Sequence, residues 1–253
     1  MRRALNLLRE SLHYRREAFD AGLQANGFRL AHQLLDPDPD DLLLVWNRHG
    51  GYNDTALRFE AAGARVVVAE NGYLGKGWLG GKWFALALGH HSGAGTWPDG
   101  GPQRWNALGV ELAPWKLDGV QNLVLEQRGI GEPGIASPRG WTSWVAQRVH
   151  GRIRRHPGAT APQVPLVADL ADVQQCFTWN SGAALLALMH GVPVFYDCPT
   201  WIGAGAALPL AEFGKQEPRR DDAARLAMFC RMIWAQWSLD EIRSGEAFER
   251  LLQ

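Results

Sequence analysis

The 253-residue sequence predicts an α/β fold with two Rossmann-like lobes and a helical C-terminal tail. Patterns typical of buried strands alternate with helical patterns in both halves, which indicates parallel sheets covered by helices. A segment rich in Gly and Trp, residues 72–120, interrupts this alternation. We therefore expect residues 1–120 to form an N-terminal lobe, residues 121–215 a C-terminal lobe, and residues 216–253 helices that pack across both lobes.

The first half of the chain predicts a helix followed by a strand–helix–strand unit. Residues 4–25 place apolar side chains at helical spacing, and the turn at residues 36–41 ends this segment. Residues 42–47 and 65–71 are predicted as buried strands on either side of a helix over residues 54–62. A strand–helix–strand unit of this kind indicates a parallel sheet.

The second half predicts the same alternation. One strand, 83–88, lies within the Gly/Trp segment. The elements predicted after it are strand 122–129, helix 141–149, strand 151–155, a small helix near 169–175, a strand ending at 177–179, a helix from residue 183, and strand 192–196. The tail, residues 221–252, predicts two or three helices.

Composition narrows the class of protein. Lys and Arg number 26 and Asp and Glu number 26, so no overall field favours nucleic acid or a membrane surface, although local arginine pairs could still line a groove for a polyanion. The three cysteines are far apart, which argues against a disulfide framework and suits a reducing compartment. No apolar run approaches the length of a membrane span. We expect a cytoplasmic protein without membrane insertion.

A polar turn precedes the most apolar helical pattern of the chain. Asn180, Ser181 and Gly182 stand between the strand ending at 177–179 and the helix that follows. Ser181 is a natural helix N-cap. The exposed N–H groups of a helix start also suit a phosphate, and Gly182 leaves room for a ligand to approach. Capping alone and phosphate contact both remain open.

His156 and Pro157 form a second signal, 25 residues before Ser181. The proline favours an extended conformation of His156 at the end of its predicted strand. Because the carboxyl ends of parallel strands meet at one edge of a sheet, we expect His156 and Ser181 at the same edge. An imidazole there can donate a hydrogen bond to a phosphate or nucleotide oxygen. A purely structural histidine is the alternative.

These motifs resemble a known family. His156–Pro157, followed by Ser181 and "ALLALMHGVPVFY", resembles the donor lobe of GT-B-type glycosyltransferases, especially bacterial sialyltransferases and capsular Kdo transferases. The stretches "ENGYLG", "HHSGAG" and "WAQWSLDEI" resemble glycosyltransferase-like proteins of phages and prophages. The resemblance covers roughly residues 120–200. The chain is short for two full GT-B lobes, so a trimmed N-terminal lobe is expected.

The resemblance implies a nucleotide-sugar-dependent glycosyltransferase with a compact GT-B-like fold. His156 and Ser181 would hold the phosphate and nucleotide of a UDP- or CMP-linked sugar, with Asn180 and Gly182 as neighbours. The nucleotide sugar would be a co-substrate, and no cofactor or metal would be needed. The acceptor implied by the phage resemblance is DNA carrying hydroxymethylated pyrimidines, which would require base flipping. A surface polysaccharide or a lipopolysaccharide precursor is the alternative acceptor.

The stretch from Gly129 to Gly134 matches the G-x-G-x-x-G dinucleotide fingerprint after a strand. Pro133 and Pro138 delay the helix that should follow, and the acidic residue expected about 20 positions on is missing. An NAD-dependent oxidoreductase is therefore one alternative. The interpretation we favour is a flexible loop at the donor site, with Gly129 and Gly131 as donor-binding positions. A non-catalytic nucleotide- or sugar-binding module is the other alternative.

Two further motifs are excluded. Residues 36–40 contain the letters of the metal-binding D-x-D motif, but they precede a strand and are stiffened by prolines, which indicates a surface turn. Ser181 stands in "WNSGA", which lacks the first glycine of the serine-hydrolase elbow.

Glycosyl transfer with inversion needs a base that takes the proton of the acceptor hydroxyl. Glu70 ends the predicted strand 65–71 of the N-terminal lobe and is the first choice. His49 and Asp54 follow the preceding strand and are the second choice. The structural alternatives are a capping role for Asp54 and an ion pair for Glu70.

The Gly/Trp segment is predicted to hold the acceptor. His90 and His91 stand in its Gly-rich part, and isolated surface histidines are the alternative there. The rings of Trp78, Trp83 and Trp97 could stack on a sugar or a base.

Overall fold

The computed structural model describes residues 2–33, 36–75, 77–156, 158 and 164–253. The chain forms two compact units: unit 1 comprises residues 1–100 and 233–253, and unit 2 comprises residues 101–232. The sequence-based expectation placed the boundaries after residues 120 and 215. The C-terminal tail is thus shared, because residues up to 232 belong to unit 2 and later ones to unit 1.

The secondary structure alternates as the α/β prediction requires. The strands are β1 (Arg3–Asn6), β2 (Arg29–Ala31), β3 (Leu42–Trp46), β4 (Arg65–Asn71), β5 (Trp83–Leu88), β6 (Gln121–Leu125), β7 (Arg152–Arg154), β8 (Val173–Thr178), β9 (Val194–Tyr196), β10 (Leu208–Pro209) and β11 (Gln236–Ser238). The α-helices are α1 (Arg16–Ala25), α2 (Gly51–Ala61), α3 (Gln103–Ala107), α4 (Trp141–Arg148), α5 (Leu166–Asp169), α6 (Gly182–Met189), α7 (Asp222–Met232), α8 (Leu239–Ser244) and α9 (Glu246–Leu251).

Unit 1 contains a six-stranded sheet in the order β11-β5-β4-β3-β1-β2. Strands β1 to β4 are parallel, and β5 is antiparallel to both β4 and β11. On one face Val68 packs with Ala56 and Phe59 of α2. On the other face the ring of Phe19 contacts those of Phe84 and Phe248, with centroids 5.3 and 6.4 Å away. Both faces of the sheet are therefore covered by helices.

Unit 2 contains a five-stranded sheet in the order β10-β9-β8-β6-β7, and all of its strand pairs are parallel. Its core includes the stacked rings of Phe177 and Phe195, with centroids 5.4 Å apart, and Phe213 meets both edge-on. The apolar helix α6 is largely buried beside this sheet. Such burial explains why the α6 sequence lacks the polar stripe of a surface helix.

The two sheets share one strand order, although the fifth strand is antiparallel in unit 1 and parallel in unit 2. Counted within each unit, the first five strands follow the order 2-1-3-4-5, which is a doubly wound arrangement. In such sheets ligands bind outside the carboxyl ends of the strands, at the point where the strand order reverses. That point lies between β1 and β3 in unit 1 and between β6 and β8 in unit 2. The prediction of two Rossmann-like lobes is confirmed at this level.

Some local predictions are confirmed and others are wrong. Strands 65–71 and 83–88 form as predicted. The helix predicted over residues 4–25 begins only at Arg16, because the segment before it forms β1 between β2 and β3. Leu12, which belonged to the predicted apolar stripe, is 77% exposed. The apolar residues before Arg16 that fit a helical spacing therefore belong to a strand and a loop.

In the second half one further prediction was wrong, and one strand appears that was not predicted. The small helix expected near 169–175 lies at Leu166–Asp169, and β8 begins at Val173, within the predicted range. The tail contains helices, but Gln236–Ser238 forms a strand that pairs with β5. This segment has a helical sequence pattern, but it forms a strand because it pairs with a distant sheet edge. None of the described helices is long and apolar enough to cross a lipid bilayer.

Candidate functional site

The carboxyl edge of the unit 2 sheet carries a run of polar residues. Three strand ends supply them: Glu126, Gln127 and Arg128 follow β6, Arg155 and His156 follow β7, and Trp179, Asn180 and Ser181 follow β8. Strands β6 and β8 flank the switch point, and β7 is the other neighbour of β6. The predicted residues His156 and Ser181 therefore lie at one edge of one sheet, as the sequence analysis expected.

Ser181 caps α6. Its backbone is extended (φ −70°, ψ 138°), and its Oγ accepts a hydrogen bond from the Ala183 N–H at 3.2 Å. Because this bond uses a lone pair of the hydroxyl, the Ser181 O–H can still donate to a ligand. Within the described residues the Gly182 N–H makes no hydrogen bond to a protein acceptor. The first turn of α6 therefore offers two donors and the positive end of a helix to an anion.

Asn180 links the two strands of the switch point. Its N–H donates to Gln127 Oε1 at 2.7 Å, and the two side-chain amides are also hydrogen-bonded. Its Nδ2 donates to the carbonyl of Ile135 at 2.9 Å. Both ends of the Asn180 amide are thus engaged by protein groups. The observed role of Asn180 is to tie the β8 end to the glycine loop, and a direct contact with a donor stays a prediction.

The glycine loop, residues 129–135, is held in place by hydrogen bonds from residues after β8 to its backbone carbonyls. Gly129, Gly131 and Gly134 all have positive φ (63°, 125° and 95°), which favours glycine over other residues. The indole N–H of Trp179 donates to Ile135 O at 2.8 Å. No helix opens at this loop, since α4 starts only at residue 141. The dinucleotide fingerprint lacks the helix N-terminus that binds the pyrophosphate.

His156 is held in a defined tautomer. Its backbone N–H donates to Glu126 Oε2 at 3.1 Å, and its Nδ1 accepts from the Gly158 N–H at 2.9 Å. A neutral imidazole that accepts at Nδ1 carries its proton on Nε2. Burial, and then the positive charge of Arg128, lower the pKa of His156, while Glu126 opposes this shift. His156 is therefore set up as a neutral hydrogen-bond donor. Pro157 lies outside the described residues.

Glu126 anchors the β7 end and was missed by the sequence analysis. Its Oε1 accepts from Arg155 Nη1 at 2.6 Å. Burial raises the pKa of Glu126, but the hydrogen bonds from Arg155 and from the His156 N–H outweigh it, so the net pKa is lowered. Glu126 stays ionised at neutral pH. The signal that could have found it is the polar run "EQR" directly after the apolar strand β6.

Glu70 lies near the carboxyl end of β4 in unit 1. Side chains alternate along a strand, so Glu70 projects to the same sheet face as Val68, the face that α2 covers. Its Oε1 accepts from the Ser92 N–H at 2.6 Å. Glu70 as a residue is partly exposed, but protein closely surrounds its carboxyl group, and this burial raises the pKa of Glu70 to about 7 against the lowering effect of its hydrogen bonds. Such a carboxyl group can take and release protons at neutral pH.

Tyr73 places a buried hydroxyl beside Glu70. Burial and then the charge of Glu70 raise the pKa of Tyr73. Its hydroxyl makes no hydrogen bond of good geometry with any described residue, although it lies against the Glu70 carboxyl group. Tyr73 therefore shields Glu70 from water and stays neutral itself.

His91 supports the loop that reaches Glu70. It is 2% exposed, its Nδ1 accepts from the Arg48 N–H at 2.9 Å, and its N–H donates to His90 Nδ1 at 3.0 Å. The two imidazoles stack with centroids 4.5 Å apart. Ser92 follows with φ 56°, an unusual value for a residue other than glycine. The two histidines thus position the Ser92 N–H that binds Glu70. A contact of His90 or His91 with an acceptor stays a prediction.

His49 and Asp54 flank the start of α2. Both are exposed, and α2 begins at Gly51, so Asp54 lies in its first turn rather than at its start. The N-cap is Gly50, without a side-chain hydrogen bond. The structural alternative of Asp54 as a cap is therefore wrong. A role for either residue as the base stays a prediction.

The three tryptophans predicted to stack on a ligand, Trp78, Trp83 and Trp97, are only partly accessible. Trp83 and Trp97 are 6% and 9% exposed, which leaves little ring surface for a ligand. Trp78 is half-buried and meets Trp83 edge-on, with centroids 5.0 Å apart. A second aromatic cluster was missed: His13, Tyr14 and Trp46 contact one another edge-to-face at 4.7 to 5.5 Å.

The acidic turn at residues 36–40 is a surface turn, as predicted. Asp38 and Asp41 both pair with Arg3. Among the residues the structure describes, no three His, Cys, Asp or Glu side chains cluster as they would around a metal ion.

Comparison with known proteins gives a fold neighbour. No protein-family model and no curated protein sequence matches the chain. Among solved structures, Thermosulfurimonas dismutans KpsC, β-Kdo 2,7-transferase, matches with a TM-score of 0.59 at 12% identity, over 98% of this chain and 99% of that one. The β-Kdo 2,4-transferase of the same protein matches with a TM-score of 0.56 at 13% identity, over 90% and 89%. At such identity the likeness shows a shared fold.

Proposed function

We propose that the protein is a glycosyltransferase that moves a sugar from a nucleotide sugar onto a hydroxyl group of a saccharide acceptor. The observation that carries the proposal is the convergence of His156 and Ser181 at one edge of a doubly wound sheet. The fold likeness to two Kdo transferases, over almost the whole chain, supports it.

Unit 2 holds the donor in this proposal. The nucleotide phosphate lies against the first turn of α6, where the Ser181 hydroxyl and the Gly182 N–H donate to its oxygens. Nε2 of His156 supplies a further hydrogen bond. As the sugar–phosphate bond breaks, its electron pair leaves with the phosphate, and these fixed donors stabilise the charge that develops there.

Glu70 is the proposed base. It takes the proton of the acceptor hydroxyl as the acceptor oxygen bonds to the anomeric carbon of the donor sugar. The Ser92 N–H fixes Oε1 of Glu70, which leaves Oε2 to receive this proton. A pKa of about 7 suits the step, because the carboxylate is available at neutral pH and still binds a proton well.

A saccharide acceptor is favoured over DNA. The equal numbers of acidic and basic residues provide no overall field for a phosphodiester backbone. The names of the two fold neighbours state transfer of Kdo. By that analogy the transferred sugar is Kdo, and its nucleotide carrier is CMP or UDP. The proposed acceptor is a surface polysaccharide or a lipopolysaccharide precursor.

The test combines donor binding with product analysis. Thermal shifts are measured with CMP-Kdo, CMP-sialic acid, UDP-hexoses and NAD, and each stabilising donor is then incubated with Kdo-bearing oligosaccharides or with hydroxymethylated DNA. We expect stabilisation by a nucleotide sugar and a mass increase of one sugar on the saccharide. A mass increase on the DNA alone would show that DNA, and not a saccharide, is the acceptor. Stabilisation by NAD alone would overturn the proposal.

A further inference from the structure

Arg128 and Arg155 are the arginines that follow β6 and β7 at the carboxyl edge of unit 2. Arg155 is paired with a carboxylate, that of Glu126. The guanidinium of Arg128 makes no hydrogen bond or ion pair with any residue in the described part of the chain. Arg128 is exposed, so water solvates its guanidinium in the free protein and an anion that reaches this edge can pair with it.

Arg128 is placed beside His156. A Cβ atom built on Gly158 would lie 4.0 Å from Arg128 Cζ and 3.1 Å from His156 Nδ1. The guanidinium and the imidazole thus flank the same point, at the edge where β6 and β7 end. The charge of Arg128 also helps to lower the pKa of His156. The local carboxylate that could neutralise Arg128 is Glu126, and Arg155 and the His156 N–H already occupy its two oxygens.

The combination suits a phosphate. Arg128 offers a fixed charge with several N–H donors, which match phosphate oxygens in pairs. The neutral imidazole adds one directional donor at Nε2, and the repulsion between two cations is avoided because His156 stays neutral. A carboxylate ligand would satisfy the charge as well, but the adjacent first turn of α6 also offers hydrogen-bond donors, and a phosphate has oxygens for all of them.

We infer that Arg128 is a phosphate-binding residue, whose guanidinium pairs with a phosphate oxygen of the bound nucleotide while His156 donates a hydrogen bond to the same group. This assignment rests on the proposed function for the identity of the nucleotide. Arg128 supplies the positive charge that balances the phosphate, and His156 and Ser181 orient it. Within the bound complex Arg128 also stabilises the negative charge that the phosphate gains as the sugar leaves.

The test compares Arg128→Gln with Arg219→Gln by calorimetry. Arg219 is a matched control, since it is an arginine of unit 2 that pairs with Asp221. The probes are CMP, UMP, cytidine, uridine and inorganic phosphate. We expect Arg128→Gln to weaken binding of the nucleoside monophosphate and of phosphate by roughly tenfold or more, and to leave binding of the nucleoside unchanged. Arg219→Gln should match the wild type, and Arg128→Lys should recover part of the loss.

Each outcome decides the inference. Unchanged monophosphate and phosphate binding in Arg128→Gln overturns it, as does an equal loss in Arg219→Gln. If the wild type binds phosphate through Arg128 but no nucleotide, the anion site stands and the proposed function fails. If the wild type binds neither, both fail. A melting temperature of Arg128→Gln equal to that of the wild type shows that the variant is folded, which is expected because Arg128 bonds to no described residue.

Discussion

At the carboxyl edge of the unit 2 sheet burial lowers the pKa of His156, whereas at the corresponding edge of unit 1 burial raises the pKa of Glu70 to about 7. The physical cause is the same in both places. A low-dielectric surrounding disfavours the charged form, so a base becomes a weaker base and an acid a weaker acid. Both groups are consequently moved toward neutrality.

The consequence differs because the neighbours differ. Around His156 the protein places Arg128 and the open helix turn at Ser181, which together suit an anion. Around Glu70 it places a single backbone N–H and the hydroxyl of Tyr73, which suit a proton acceptor. One strand order therefore carries two kinds of chemistry, and the residues just after the strands decide which.

The largest effect that would test this contrast is expected for Glu70→Gln. The substitution keeps the shape of the side chain and removes its ability to take a proton. We expect the transfer rate at saturating donor to fall by about 10²- to 10⁴-fold, the usual contribution of a positioned base. Donor affinity, measured by calorimetry, should change less than about twofold, because unit 2 binds the donor in this account. A near-normal rate would show that Glu70 is not the base, and Asp54 or His49 would then be the candidates.

The same substitution is expected to stabilise the protein at alkaline pH. The folded-state pKa of Glu70 is raised from 4.5 to about 7, so the folded protein binds this proton more tightly than the unfolded chain does. Stability is therefore lost as pH rises through that window, and glutamine does not ionise. We expect Glu70→Gln to be more stable than the wild type by about 3 kcal/mol at about pH 8, and similar at about pH 4. Denaturant unfolding at both pH values measures this, and equal differences at both would contradict it.

His156→Ala is expected to show the opposite pattern to Glu70→Gln. A hydrogen bond to a charged group contributes about 1.5–3 kcal/mol, so donor affinity should fall roughly 10- to 100-fold. Calorimetric titration with the nucleotide measures the loss. Unchanged affinity would leave His156 as a structural residue.

The smallest effect is expected for Ser181→Ala, which tests whether Ser181 only caps its helix or also binds the nucleotide. Ser181 and Ser238 both cap a helix, the latter with a full capping box that includes Glu241. Replacing either serine with alanine should cost about 1 kcal/mol of unfolding free energy. Only Ser181→Ala should also weaken nucleotide binding, by about tenfold or less. Equal nucleotide affinity in the two variants would make Ser181 an ordinary cap.

The sequence predicted the parts of the site that depend on local pattern. The strand before Glu70, the cap at Ser181 and the placement of His156 at a strand end follow from apolar runs and from the residues that end them. The common edge of His156 and Ser181 follows from the parallel sheet. The first three inferences need only neighbours in sequence, and the common edge also needs the parallel direction of the strands.

The sequence could not predict what depends on distant contacts. The pairing of Gln127 with Asn180 spans 53 residues, and the bond from Ser92 to Glu70 spans 22. The burial of Trp97 depends on how a long loop folds back, and β11 forms only because β5 provides an edge. Arg128 stands out only once it is seen beside His156, with Glu126 already paired with Arg155.

The pH dependence of the transfer step tests the central claim most directly. The rate of sugar transfer is measured in single turnovers with donor and acceptor saturating, between about pH 5.5 and about pH 8.5. Because the base must be deprotonated, the wild-type rate is predicted to rise with pH up to an apparent pKa of about 7 and then level off, and Glu70→Gln is predicted to lose that rise. A wild-type rate that stays flat across this range, or a rise that persists in Glu70→Gln, would contradict the account.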